Sequence, residues 1–66
     1  MGGSKVLSSF NEYRDDVIVH HIYETRTVYG DRGIRDEIGL YHTIYTIKKD
    51  SGKIFFTTDL IRKIIN

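Results

Sequence analysis

Leu40-Tyr41-His42-Thr43-Ile44-Tyr45-Thr46-Ile47-Lys48-Lys49, then Asp50-Ser51-Gly52, then Lys53-Ile54-Phe55-Phe56-Thr57-Thr58, reads as a β-hairpin. Two runs rich in β-branched and aromatic residues flank a short Asp/Ser/Gly turn with lysines at its mouth. The hairpin sets the expected fold class, a small antiparallel sheet whose side chains alternate between two faces. On the first of its strands Tyr41, Tyr45 and Ile47 share one face, and Leu40 and Ile44 share the other.

Upstream, Val17-Ile18-Val19-His20-His21-Ile22-Tyr23-Glu24-Thr25-Arg26-Thr27-Val28-Tyr29 is strand-like throughout. Thirteen extended residues reach about 43 Å, so a bulge or bend is expected near His20-His21 or Glu24–Arg26. Between this strand and the hairpin, Gly30-Asp31-Arg32-Gly33-Ile34-Arg35-Asp36-Glu37-Ile38-Gly39 carries three glycines and five charges, a loop-like composition. Loops on a rigid scaffold often carry contacts, which makes Asp31, Arg32, Arg35 and Glu37 candidate partner-binding residues.

Both ends read as short helices. Ser9-Phe10-Asn11-Glu12 has the spacing of a capping box, which predicts a helix over about Phe10 to Asp15. Thr58 and Asp59 offer an N-cap, and Leu60, Ile61, Ile64 and Ile65 form an apolar stripe opposite Arg62 and Lys63. The expected architecture is therefore α+β: a three-stranded antiparallel β-meander with a short N-terminal and a short C-terminal helix packed on the sheet. A single small domain over residues 1–66 is expected, with residues 1–5 flexible.

Sixty-six residues put the chain near the lower limit for a self-sufficient core. Without cysteine it has no disulfide, thiolate metal site or thiol nucleophile. No apolar run approaches the ~18 residues of a membrane helix. These features lead to the expectation of a cytoplasmic protein that contacts no membrane.

The net charge of +1 is no electrostatic signature of nucleic-acid binding. The balance is uneven, however. From Lys48 onward, Lys48, Lys49, Lys53, Arg62 and Lys63 face only Asp50 and Asp59. Those five residues are the candidate contacts for the alternative function, a nucleic-acid-binding regulator, with sheet aromatics as a stacking platform.

Catalytic and metal-binding patterns are thin. His20 and His21 point to opposite faces of one strand, so only one of them could share an ion with His42. Glu24, Arg26 and His42 are the residue types of a small ribonuclease site, although no spacing links them. Gly39-Leu40-Tyr41 with Gly52-Lys53-Ile54-Phe55-Phe56 is similar to the opening hairpin of GIY-YIG nucleases. The second motif departs from that family by ending in Phe-Thr, and the helix that should carry the arginine and glutamate is missing. No catalytic residue, metal, cofactor or small-molecule substrate is therefore expected.

The most telling property is surplus apolar surface. Ile54-Phe55-Phe56 and Val17-Ile18-Val19 are apolar on both faces, more than two short helices can cover. The surplus implies a curled barrel or another chain. The expected function is that of a small non-enzymatic protein-binding module, an accessory, adaptor or inhibitor of the kind common among phage and mobile-element products. Tyr41, Tyr45 and Phe55 are its expected sheet contacts, and a homodimer is the expected assembly.

Overall fold

In a computed structural model that describes residues 2–28 and 37–65, four strands follow one another: β1 (Gly2–Tyr13), β2 (Val17–Val28), β3 (Glu37–Lys48) and β4 (Ile54–Ile65). They form one antiparallel sheet in the order β1-β2-β3-β4, so each strand pairs only with its neighbours in sequence. The described residues contain no helix.

This corrects the α+β expectation at both ends. The segment expected to be an N-terminal helix is the second half of β1, where Phe10 pairs with His21, Asn11 with His20 and Glu12 with Val19. A capping box satisfies two backbone donors, but a six-residue helix does not repay its nucleation cost. Extended pairing with β2 satisfies the backbone groups that face the sheet along the whole segment and also seats Phe10 flat on His21. The segment expected to be a C-terminal helix continues β4. Its isoleucines are β-branched and favour strand. The spacing Leu60, Ile61, Ile64, Ile65, read as a helical stripe, arises where register shifts near Ile38/Gly39 and Leu40/Tyr41 leave Ile61 and Ile64 without partners.

The central hairpin forms where expected. Gly52 sits at φ 72°, the left-handed region open to glycine, and donates its N–H to the Lys48 carbonyl at 2.8 Å. The Lys48 N–H closes the ladder on the Lys53 carbonyl at 2.9 Å. Beside it, the β1–β2 turn closes through Arg14 N–H to the Val17 carbonyl at 3.0 Å. Lys49 ties the two turns together. Its backbone N–H reaches the Asp16 carbonyl at 3.1 Å and its Nζ reaches the Arg14 carbonyl at 2.8 Å.

β2 and β3 pair without a break from Val17↔Lys48 to Val28↔Glu37. The irregularity expected within β2 lies instead on its neighbour, where β1 bulges between Val6 and Ser8 opposite Glu24 and Tyr23. Gly2–Lys5, read from sequence as flexible, extend β1 against Thr25–Val28.

A single sheet has no interior. Val19, 8% exposed, is the only buried hydrophobic side chain among the described residues, and Thr43 is the buried polar one. The molecule measures 50 × 18 × 15 Å, with a radius of gyration of 15.1 Å, where a compact 66-residue fold has about 11 Å. Its accessible surface is 5202 Å², roughly 900 Å² more than a folded monomer of this mass presents. β1 and β4 do not meet, so the sheet is open and no barrel closes. No helix is long and apolar enough to cross a membrane among the described residues.

Candidate functional site

The pairing register assigns each paired strand residue to a face. On the front lie Tyr41 and Tyr45, with Ile18, His20, Ile22, Glu24 and Arg26 of β2 beside them. Phe56, Thr58 and Leu60 of β4 join them, as do Tyr13, Asn11, Ser9 and Val6 of β1. On the back lie His21, Tyr23 and His42, flanked by Phe10, Glu12, Phe55, Thr57 and Asp59.

The two faces differ in how they use their polar groups. The back carries a column of stacked rings. Phe10 lies 4.6 Å from His21, His21 lies 5.2 Å from His42, and His42 lies 4.3 Å from Tyr23 at an interplanar angle of 6°. A directional hydrogen-bond chain runs along it. Arg14 donates to Glu12 Oε2 at 3.0 and 2.8 Å, and Glu12 Oε1 lies 3.2 Å from His21 Nε2. The carboxylate can only accept, so His21 Nε2 carries the hydrogen. In the neutral ring His21 Nδ1 is then the acceptor for His42 Nε2 at 3.0 Å. Arg14 first, and His21 after it, hold the Glu12 carboxyl below its usual range by hydrogen-bonding its charged form.

The front is apolar, and its charges cancel locally. Arg26 donates to Glu24 at 2.9 Å and lies 4.8 Å over the Tyr41 ring. Lys63 bonds Glu37 at 3.0 Å. His20 bonds Asn11, and Thr43 bonds Thr58 at 2.9 Å. Apart from Ser4 and Ser9 on the edge strand β1, the rest is mainly hydrocarbon and ring. Tyr13, Ile18, Ile47 and Ile54 form one row across all four strands, and Tyr45 lies 5.6 Å from Phe56 in the next.

Exposure separates the faces decisively. Val6, Tyr13, Val28, Ile54, Phe56 and Leu60 are exposed large hydrophobics on the front, against Phe10 and Phe55 on the back. Leu7, Ile61 and Ile64, also exposed, fall at the register shifts.

The candidate residues from sequence are divided accordingly. Tyr41 and Tyr45 share the front, whereas Phe55 lies on the back, and Phe56 takes the place beside Tyr45. The signal for Phe56 was present in the hairpin, but choosing between adjacent phenylalanines requires the cross-strand register. Glu37 sits on β3 in its pair with Lys63, while Asp31, Arg32 and Arg35 lie outside the described residues.

The basic set for nucleic acid does not form one patch. Lys48, Lys49 and Lys53 gather at the hairpin turn, while Arg62 and Lys63 lie on opposite faces of β4, about 25 Å away. The ribonuclease-like trio is also split, with Glu24 and Arg26 on the front and His42 on the back. His42 meets His21 rather than His20, and the described residues bring together no group of three metal-capable side chains.

Comparison with protein-family models, with curated proteins and with solved structures returned no match. The functional reading therefore rests on the two faces themselves.

Proposed function

We propose that this chain is a protein-binding module that docks through the front face of its sheet. The observation that carries this reading is the placement of six exposed large hydrophobics on one face whose charged residues are already paired with one another. An apolar surface of this extent is a docking signature, since isolated monomers rarely leave large contiguous patches wet. Glu24–Arg26 and Glu37–Lys63 can enter an interface as neutral pairs, so covering them strands no single charge. On composition alone, the charged 30–39 segment is a second contribution to the contact. A cytoplasmic setting suits a chain without cysteine.

Photo-crosslinking from single positions in cells tests the reading. A crosslinking amino acid at Phe56 should give discrete protein adducts, and one at Phe55, the next residue on the opposite face, should give few. Adducts from Phe55 alone, or from neither position, would remove the front face as the docking surface.

A further inference from the structure

We infer that the occupant of the front face is a second copy of this chain, and that two sheets stack front to front as a two-layer sandwich. The inference rests on the docking reading above and names its partner. Three observations support it.

The first is the missing interior. Domains are built from two packed layers around a core, and the described residues supply one layer with one buried hydrophobic side chain, Val19. Whatever covers the front must be present whenever the chain folds, and another copy always is.

The second is area. Four strands of 12 residues give a face of about 40 by 18 Å, so two copies in full overlap cover roughly 1,400 Å². A stable specific interface needs about 1,200–2,000 Å².

The third is compatibility. Two copies share one twist and one length, which aligned sheet packing at about 30° requires. The contact is isologous, so a surface that meets itself must not oppose a net charge to its own image. The front meets that condition because its two acids and two bases are mutually paired. The back does not offer the same surface, because the His21–His42 contact lies on its two central strands and the Arg14–Glu12 pair sits at its turn end.

Analytical ultracentrifugation across dilution, on the full chain, Phe56→Lys and Phe55→Lys, decides the matter. The expected result is a dimer for the full chain and for Phe55→Lys. Phe56→Lys should raise the dissociation constant at least 100-fold, since each two-fold contact loses the residue twice. A dimer that ignores Phe56→Lys, or that Phe55→Lys breaks, would overturn the front-to-front arrangement in favour of the back or a strand edge.

Should Phe56→Lys fail to fold, thiol alkylation of Ser9→Cys and Ser8→Cys gives the same reading, because these small exposed neighbours lie on the front and back respectively. Ser9→Cys should react at least tenfold more slowly at high protein concentration than on dilution, with Ser8→Cys unchanged. Equal protection of both would overturn the proposal.

A folded monomer at all concentrations would overturn the second-copy inference alone. Binding of an apolar dye to that monomer, lost in Phe56→Lys, would leave the docking reading standing for a foreign protein. No dye binding would remove both.

Discussion

His21 and His42 meet nitrogen to nitrogen on neighbouring strands, Nδ1 to Nε2 at 3.0 Å, with Glu12 fixing which ring donates. The contact makes His42 both a donor and a stacking partner, and the two roles can be separated. His42→Phe keeps a ring against Tyr23 and deletes the donor, which should cost about 0.5–1.5 kcal/mol. His42→Ala deletes both and should cost about 1–3 kcal/mol. Urea denaturation of the two variants checks the order, and equal costs would show that the stack contributes nothing.

Glu12 gives the same column a pH dependence. Its carboxyl is held below the usual 4.5 by Arg14 and then His21, so the folded state binds its proton less readily than the unfolded chain. The resulting stabilisation is fully present above pH 4.5, and it is lost as the pH falls through the depressed folded value. The carboxylate is solvent-exposed, so the effect is small. Glu12→Gln should flatten this part of the acid limb in thermal melts between neutral pH and pH 2, leaving the limb's other carboxylate contributions intact.

At the hairpin turn, Gly52 has open space around its Cα but a positive φ. Gly52→Ala should therefore destabilise by about 1 kcal/mol through backbone strain alone, and Gly52→Asn by less. Chemical denaturation distinguishes this from steric cost, which would make asparagine the worse replacement.

Gly39 poses the opposite problem. A Cβ there would come within 2.9 Å of Leu60 Cδ1 and of the Tyr41 ring that lies under Arg26. Leu60 can swing aside but the Tyr41 ring, held under Arg26, must also shift, so Gly39→Ala should cost about 1 kcal/mol, while Gly39→Val should cost about 1–3 kcal/mol. Adding Leu60→Ala should recover part of the valine penalty, which a double-mutant cycle measures.

The sequence is most legible where local signals and long-range pairing agree. Asp50-Ser51-Gly52 names its own turn, and the alternation of Tyr41, Tyr45 and Ile47 against Leu40 and Ile44 survives into the structure. It misleads where a short local signal competes with pairing that no local window contains. Ser9-Phe10-Asn11-Glu12 looks like a helix start until His20 and His21 are placed beside it. The end of β4 looks helical because register shifts change the parity of its isoleucines, and such shifts leave no mark in composition. The same lack of register hid the exchange of Phe55 for Phe56 beside Tyr45.

Nearest-neighbour strand order has a kinetic corollary. Every ladder joins segments adjacent in sequence, and Lys49 links the two turns that start the outer hairpins. No distant segment must be found before pairing begins, so chain topology sets little delay. If the layers then combine as inferred, the slow phase of refolding will be second order, its rate rising with protein concentration and its amplitude vanishing in the Phe56→Lys chain.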